Sequence, residues 1–410
     1  MARTFQVVSL VLFLATVVGC GDGASSALFK DSPLDLPVVL NEAPAWLAED
    51  RWSVGSEPTL EVVRNEIDPV GRNSGIQSAF RFPDGRTVVA DGTSQAVLFF
   101  GRGGNPLRVV SGPDDAPGEF QGLEALFLLP GDSLVVFDEI RTRVTILDSE
   151  GSFSRSVKLK GAVSPSHAVG VTDDGRLVVA GNPSISSQQL GLHVDSTTLV
   201  RYDLVSGQPD TVGAFPARER FMTEKGGERT MGERPFGRVL SSAIVGDRLC
   251  LGTGVPYKVL VFSAEGLPEL EIRRMVKPRS VTRGDRKRYV EWRTSSFRGP
   301  EAFTVRAREV LSSRATPYPR TMLAFDRFLA DPEGNLWVRE YAPPWEQGGR
   351  DWSVFNIEGN WLGVVRVPAT LEVLQVGQDF LLGIGRDEPN VESILIFELL
   401  KPSPKTLPTG

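Results

Sequence analysis

Four carboxylates in this sequence stand where a short β-branched run gives way to a polar loop, a place where an acidic side chain can bind a ligand. They are Asp91, Asp138, Glu340 and Asp387. Arg141 and Arg386 lie close to two of them in the sequence. If these loops meet, the carboxylates can hold a calcium ion through oxygen ligands or act as an acid–base pair on a glycoside. Asp and Glu in turns also accept local backbone hydrogen bonds, so that alternative stays open.

The loop that follows Glu340 carries aromatic side chains. Tyr341 and Trp345 flank a Pro-Pro pair, and rings of this kind can stack on a sugar or a peptide. The same rings can instead anchor a long loop by packing beneath it. The sequence therefore marks Tyr341 and Trp345 as candidate ligand contacts, with hydrophobic anchoring as the alternative.

Residues 273–320 are strongly basic, with fourteen Lys and Arg side chains against four acidic ones. The segment has a formal charge of +10 in a chain of −6, which leaves −16 for the remainder. Thr282 to Asp285 fit a capping box that opens a helix, and Pro300 can begin a second helix. We expect a basic helical insertion over residues 277–320.

The cationic side chains of this insertion, with Arg286, Lys287 and Arg288 at its centre, allow three interpretations. They can form a solvated outer face, pair with the acidic remainder of the chain, or contact an anionic partner. Such a partner can be a phosphorylated glycan, a lipid headgroup or an acidic protein. The net charge of −6 argues against a chain-wide attraction to nucleic acid, so we expect no nucleic-acid partner.

The first twenty residues indicate export and lipid attachment. Arg3 precedes an apolar stretch, Phe5–Val18, which is too short to span a bilayer comfortably because spanning needs about 20 residues. The stretch leads into Val17-Val18-Gly19-Cys20, which resembles the lipobox of bacterial lipoproteins. That resemblance implies a signal peptide over residues 1–19, a lipid on Cys20, and a second acyl chain for stable anchoring. An ordinary secreted protein with an incidental cysteine is the alternative.

Few side chains are available for metal or nucleophile chemistry. Cys250 lies in an apolar run, and the two histidines are His167 and His193. A two-histidine base or a three-histidine zinc site is hard to build from them. No Gly-x-Ser-x-Gly elbow, Walker loop or zincin helix occurs. We expect no cofactor, with calcium as the alternative, and we assign no catalytic residue.

One unit recurs along the chain: a strand, a tight Asp/Gly turn, a β-branched strand, a polar loop and another strand. Its six turns begin near Pro83, Pro130, Asp173, Val245, Pro332 and Val376. Asp and Gly reverse the chain because Gly accepts positive φ and Asp bonds nearby backbone. The third strands are predicted at Ala96–Phe100, Arg143–Leu147, Leu199–Tyr202, Lys258–Phe262, Trp352–Ile357 and Ser393–Leu399. Units of about 40–50 residues with several strands are typical of propeller blades.

The block Gly112–Phe120 and the run Arg143–Asp148 resemble NHL-type repeats. From about Trp52 to Leu400 the chain resembles uncharacterised bacterial six-bladed β-propeller lipoproteins. The resemblance implies an all-β fold, a six-bladed β-propeller over residues 57–400, with the helical insertion between blades 4 and 5. It supplies no catalytic set that can be transferred to this chain.

The last repeat ends without a fourth strand, whereas Thr59–Val63 near the start has no blade of its own. Pairing the two removes two exposed sheet edges. We therefore expect an N-terminal strand that closes the last blade. The same division predicts a tether over residues 20–56 and a C-terminal tail over residues 401–410.

Most of the excess chain length falls at 181–197, 215–237, 277–320 and 340–350. Connections of these types share one face of a propeller, and loops on a rigid scaffold carry function. We expect a membrane-tethered, monomeric, non-catalytic module that binds a protein or glycan on this face. A carboxylate- or calcium-dependent hydrolase or lyase that uses the same face is the alternative.

Overall fold

The computed structural model describes residues 36–63, 75–112, 119–162, 166–181, 189–295, 301–386 and 391–402. The predicted signal peptide, Cys20, Asp387 and most of the C-terminal tail lie outside the described residues. Within the described part, most residues are in strands, and no helix there is long and apolar enough to cross a membrane.

Two strands precede the first sheet. They are β1 (Val38–Asn41) and β2 (Ser53–Val63), with a short 3-10 turn at Ala48–Asp50 between them. The sequence predicts a tether as far as residue 56, but in the structure the ordered fold begins earlier. Asn41 at the end of β1 is buried, and Trp46 and Trp52, which follow it, pack against a hydrophobic core cluster.

The other described strands form six sheets in chain order, each built from consecutive antiparallel strands. Sheet 1 contains β3 (Ile76–Arg81), β4 (Thr87–Asp91), β5 (Ala96–Phe100) and β6 (Pro106–Val110). Sheet 2 contains β7 (Leu123–Leu128), β8 (Leu134–Asp138), β9 (Arg143–Leu147) and β10 (Phe153–Lys158). Sheet 3 contains β11 (Ser166–Val171), β12 (Arg176–Gly181), β13 (Gly191–Asp203), β14 (Pro209–Lys225) and β15 (Glu228–Glu233).

The second half of the chain repeats the arrangement. Sheet 4 contains β16 (Ser241–Val245), β17 (Arg248–Gly252), β18 (Lys258–Phe262) and β19 (Pro268–Arg274). Two helices follow, α1 (Arg283–Ser295) and α2 (Glu301–Ser312). Sheet 5 contains β20 (Phe325–Ala330), β21 (Leu336–Glu340), β22 (Arg350–Phe355) and β23 (Trp361–Val367). Sheet 6 contains β24 (Glu372–Val376), β25 (Phe380–Arg386) and β26 (Glu392–Leu400).

The N-terminal strands complete two late sheets. As the sequence predicts, β2 pairs antiparallel with β26, so that Leu60 lies opposite Ile396 and Val62 opposite Ile394. The strand β1 adds to the outer edge of sheet 4 by pairing parallel with β19. This parallel addition is not predicted from the sequence, because four residues give no usable periodicity.

The sheets are arranged around an axis. The first strands contact one another in succession, β3 with β7, β7 with β11, β11 with β16, β16 with β20, and β20 with β24. The succession returns to its start, because β24 also contacts β3. Small antiparallel sheets stacked in this way are a β-propeller-type fold.

The core lies between neighbouring sheets. Val88 of sheet 1 and Val136 of sheet 2 are completely buried in one cluster, and Trp337 of sheet 5 lies in a cluster shared with sheet 6. Trp52 packs 6.0 Å from Trp337, ring centre to ring centre, which fixes the N-terminal segment to this cluster. Each fully buried side chain of this size stabilises the fold by roughly 1.5–3 kcal/mol.

Two of the expected long loops are largely strand. Residues 191–197 belong to β13 and residues 215–225 to β14, which together extend far beyond β12. Phe215, Ala217, Glu219 and Phe221 are buried at alternating positions along β14. The buried Glu219 interrupts the apolar alternation, and Arg234 compensates its charge at 2.8 Å. This polar pair is why the strand pattern is not evident in the sequence.

Candidate functional site

One face of the fold carries the large insertions. In sheets 1, 2, 3 and 5 the first residue of the first strand pairs with the last residue of the second, as Leu123 does with Asp138 and Phe325 with Glu340. The extension of β13 and β14 leaves sheet 3 on this side, because Ala180 near the end of β12 already pairs with Leu199. The helices α1 and α2 also leave here, before β20. We call this side the insertion face.

The structure gives Asp91 and Asp138 roles in turns. Asp138 is 1% exposed, and its carboxylate accepts the backbone N–H groups of Gln121 at 2.8 Å, Gly122 at 3.1 Å and Arg141 at 2.9 Å. Asp91 is equally buried and accepts the backbone N–H of Thr93 at 3.0 Å and the hydroxyl of Ser94 at 2.6 Å. The turn-acceptor alternative therefore describes both carboxylates.

Arg141 and Arg386 are engaged in ion pairs. The guanidinium of Arg141 pairs with the carboxylate of Glu119. The guanidinium of Arg386 donates to Glu372 at 3.1 Å and to Glu392 at 3.0 Å. Among the described residues, no three His, Cys, Asp or Glu side chains are grouped in a way that would hold a metal ion.

Glu340 lies in a buried polar cluster at the end of β21. Its carboxylate accepts the hydroxyls of Ser353 at 2.6 Å and Tyr257 at 3.2 Å, and it pairs with Arg274. The guanidinium of Arg274 is held 3.8 Å from the ring centre of Trp361. Burial raises the pKa of Glu340, and the charge of Arg274 opposes that shift. This cluster joins sheets 4 and 5, and all three of these contacts are made by Oε1 of Glu340.

Charged side chains of sheets 5 and 6 pair near the axis. Glu372 receives a hydrogen bond from Arg327 at 3.3 Å and another from Arg386, and Arg339 donates to Asp326 at 2.6 Å. Burial lowers the pKa of Arg327, with the charge of Arg339 acting in the same direction. Although burial alone would raise the pKa of Glu372, the hydrogen bond from Arg386 and the charge of Arg327 lower it.

A second polar group faces these pairs from sheets 2 and 3. The ring nitrogen Nδ1 of His167 bonds Glu124, whose other carboxylate oxygen accepts the backbone N–H of Ala168 at 3.1 Å. The bond to Glu124 raises the pKa of His167 although burial opposes it, and the charge of Arg327 across the axis lowers it slightly. Glu139 lies beside them, and burial together with the charge of Glu124 raises its pKa.

The position of Glu124 comes from a β-bulge. The pairing of β7 with β8 skips from Leu123 to Ala125, so Glu124 has no cross-strand partner and its side chain is free to reach sheet 3. Sequence reasoning missed the pair of Glu124 and His167 because 43 residues separate them. The available signal was their common place at the second position of two successive first strands.

Two cavities open side by side on the insertion face. The first has a volume of about 430 Å³ and is lined by Glu124, Glu139, His167, Arg218 and Val239 among others. The second has a volume of about 470 Å³ and is also lined by Arg218 and Val239, together with Phe236, Tyr289, Trp292 and Arg350. The two cavities adjoin, because they share Arg218 and Val239 as lining residues, and we call them together the groove.

Aromatic side chains from three insertions form the outer wall of this groove. Phe236, after β15, lies 5.0 Å from the ring centre of Tyr289 on α1 and 6.1 Å from that of Trp345. Tyr341 lines the groove, and burial raises its pKa above the ordinary value of 10.0. Trp345 therefore packs against the aromatic wall, whereas Tyr341 lines the groove.

The structure shows how α1 presents its basic side chains. Thr282 and Asp285 form the reciprocal hydrogen bonds of a capping box, at 3.0 and 3.1 Å, which start the helix at Arg283. Arg286, Lys287 and Arg288 are all exposed. Arg286 lies over the ring of Tyr318 at 5.0 Å, and Lys287 pairs with Glu291 at 3.8 Å.

No family model matches the chain, and no curated protein is detectably similar to it in sequence. Solved structures resemble it at low identity. A member of the DUF4221 family from Bacteroides vulgatus is 11% identical, over 86% of this chain and 99% of that one, with a TM-score of 0.48. Virginiamycin B lyase from Staphylococcus aureus is 10% identical, over 85% and 99%, with a TM-score of 0.39. Regucalcin, a calcium-binding protein from Agrobacterium tumefaciens, is 12% identical, over 88% and 96%, with a TM-score of 0.36. At these values the similarities assign no activity, substrate or partner to this chain.

Proposed function

We propose that this protein is a non-catalytic recognition module that binds an extended polar ligand, a glycan or a peptide, in the groove on its insertion face. The observation that carries the proposal is that the two cavities adjoin and share Arg218 and Val239 as lining residues. Together they reach from the axis to the aromatic wall, a length that suits several sugar units or residues better than a single small molecule.

The six sheets serve this function as a rigid six-bladed propeller, closed by β2. Clefts positioned by such a scaffold commonly carry the binding site, while the strands beneath them supply rigidity. On this chain the extension of sheet 3, the helices and the loop after β21 all contribute to one wall. The accumulation of three insertions around one groove supports binding at this place.

The groove offers groups that match a hydroxyl-rich ligand. Tyr289 and Trp292 on α1 line the groove, and aromatic rings suit the apolar faces of sugars. Arg350 also lines the groove, and its guanidinium can donate hydrogen bonds to a hydroxyl-rich ligand. The raised pKa of Tyr341 keeps its hydroxyl protonated as a donor.

An array of oligosaccharides and peptides, probed with the Cys20→Ser protein, tests this function. We expect at least one binder whose affinity falls tenfold or more in Arg350→Ala and in Trp292→Ala. The matched control is Arg155→Ala, which removes an exposed arginine from the outer strand of sheet 2. An array without binders, or a binder that is indifferent to both groove substitutions, would contradict the proposal.

We infer that the module is attached to a bacterial membrane through lipid on Cys20 and functions as a monomer. The lipobox resemblance supports the attachment. Cys20→Ser should move the protein from the membrane fraction to the soluble fraction of the producing cell. Retention of the variant in the membrane fraction would show that another element holds it there.

A second candidate function is acid–base catalysis by a hydrolase or lyase in the same groove. The specific observation is that His167 and Glu139 lie side by side next to Glu124, and that the pKa values of the His167 imidazole and the Glu139 carboxyl are both raised. Turnover of an array binder that disappears in His167→Gln and Glu139→Gln, with binding retained, would place this function above recognition alone. If the unaltered protein binds the ligand but does not turn it over, the result supports recognition alone.

A further inference from the structure

A third cavity lies on the other side of α1 from the groove. It has a volume of about 620 Å³ and is bounded by α1, α2 and the segment 312–318. Arg286, Lys287 and Val290 line it, whereas Tyr289 and Trp292 face the groove. The two faces of α1 therefore belong to two separate sites.

The lining of this cavity is strongly cationic. Arg286, Lys287, Arg308 and Arg314 contribute four positive charges against the single carboxylate of Glu291. Glu291 lies at 3.8 Å from Lys287, which is too long for a strong pair, and both side chains are exposed. Exposed pairs of this kind contribute little, so most of the positive charge remains unneutralised.

Two of the arginines are held in place by uncharged neighbours. The ring of Tyr318 supports the guanidinium of Arg286, and the hydroxyl of Thr294 receives a hydrogen bond from Arg308 at 3.3 Å. Neither contact neutralises a charge. Val290, Leu311 and Tyr318 give the cavity an apolar base. A cationic rim above an apolar base suits a ligand that carries an anionic group on a small organic body.

We propose that this cavity binds a phosphate ester, with Arg286 and Arg308 as its principal ligands. Arginine suits phosphate because its planar guanidinium donates two parallel hydrogen bonds to an oxyanion. A concave site of this volume accommodates a small headgroup or sugar phosphate, whereas a flat surface would be expected for an acidic protein. Arg288 is exposed on the same helix but does not line the cavity, so this site divides the three basic residues that the sequence groups together.

Two experiments distinguish a soluble phosphate ester from the phosphate of a lipid headgroup. Calorimetric titration of the Cys20→Ser protein with glucose 6-phosphate and glycerol 3-phosphate, with glucose as the uncharged control, measures soluble esters. Co-sedimentation with vesicles of phosphatidylglycerol, against phosphatidylcholine, measures a lipid headgroup. Saturable binding in either arm supports the cavity and identifies the source, and an absence of binding in both arms overturns the proposal.

The variants test whether the cavity itself is responsible. We expect Arg286→Ala combined with Arg308→Ala to weaken binding tenfold or more, and Arg288→Ala to change it less than twofold. All three side chains are exposed, so the thermal midpoints of these variants should stay near that of the unaltered protein. Arg308→Lys is a further variant that keeps the positive charge but loses the two parallel N–H donors of arginine. A loss in Arg288→Ala as large as in the double variant would mean diffuse attraction to the helix and would refute a site in the cavity.

Discussion

The side chain of Asn41 joins two sheets through the main chain around Trp361. Its carbonyl oxygen accepts the backbone N–H of Trp361 at 2.7 Å, and its amide donates to the carbonyl of Gly359 at 3.0 Å. Asn41 lies in β1 on sheet 4, whereas Trp361 begins β23 of sheet 5. The N-terminal segment is therefore an integral part of the fold from residue 38 onward.

Replacing Asn41 should destabilise the fold measurably. Asn41→Ala leaves the buried N–H of Trp361 and the carbonyl of Gly359 without partners, so we expect the free energy of unfolding to fall by about 2–3 kcal/mol. Chemical denaturation followed by tryptophan fluorescence measures the change. Glu42→Ala, at the exposed neighbouring position, should be nearly neutral, and equal effects at the two positions would contradict a specific role of Asn41.

The pairing of β2 with β26 should be equally sensitive. Val62 is 1% exposed and packs among Ile76, Ile394 and Ile396. Val62→Asp puts an unpaired charge there, so we expect a loss of more than about 3 kcal/mol in the free energy of unfolding. Glu61→Ala in the same strand, where the side chain is exposed, is the control. A thermal midpoint unchanged by Val62→Asp would show that β2 is dispensable.

Asp138 should stabilise the fold through the hydrogen bonds that its carboxylate accepts. Asp138→Ala removes the partner of three backbone N–H groups, and we expect a cost of roughly 2–4 kcal/mol in the free energy of unfolding. Asp138→Asn retains one acceptor oxygen and should cost clearly less. Identical denaturation midpoints for the two variants would argue against the turn-acceptor role.

His167 should titrate above its ordinary pKa of 6.5, because the hydrogen bond to Glu124 stabilises the protonated ring. Glu139 and Arg327 also face the ring, with opposite effects on its pKa. The folded state therefore binds this proton more tightly than the unfolded chain does. The pair stabilises the fold fully below pH 6.5, and its contribution disappears as the pH rises through the higher folded-state pKa.

Nuclear magnetic resonance of isotope-labelled histidine tests this directly, since the chain has two histidines and His167→Gln identifies one signal. Glu124→Gln should move the titration midpoint of His167 to lower pH. A midpoint that does not respond to Glu124→Gln would show that the pair does not form in solution.

Cys250 should be chemically inert in the folded protein. It is 4% exposed, and burial raises the pKa of its thiol to about 12, so very little thiolate is present at pH 8. In the Cys20→Ser background we expect no reaction with a thiol reagent until guanidinium unfolds the chain. A reporter thiol introduced by Ser56→Cys, at an exposed position, should react at once. Rapid labelling of the folded Cys20→Ser protein would contradict the burial of Cys250.

The repeated strands were predictable because their signals are local. Asp/Gly turns flank β-branched runs, and Ala96–Phe100, Arg143–Leu147 and Lys258–Phe262 are strands with the predicted bounds. The hairpin of β13 and β14 was not predictable in the same way. Its inward position at Glu219 is charged, and Arg234 and Arg238, which lie farther along the chain, pair with that buried carboxylate.

The candidate site was less accessible to sequence reasoning because its members meet across sheets. Asp91 and Asp138 end strands and look like ligand groups, but their oxygens are taken by neighbouring N–H donors. Glu124 and His167 belong to no recognisable sequence motif. They meet because a bulge in β7 lets the side chain of Glu124 reach sheet 3. Tyr341, a candidate ligand contact from the sequence, lines the groove, whereas Trp345 packs against Phe236 in its wall.

The parallel attachment of β1 to β19 has a mechanical consequence if the protein is anchored through Cys20 as proposed. Drag on the anchored protein would then load β1 first. Because Val38 to Asn41 lie alongside Glu271 to Arg274, a pull along the strand must shear several hydrogen bonds together instead of peeling them one at a time. Sheet 4 would bear that force and shield the seam between β2 and β26 from it.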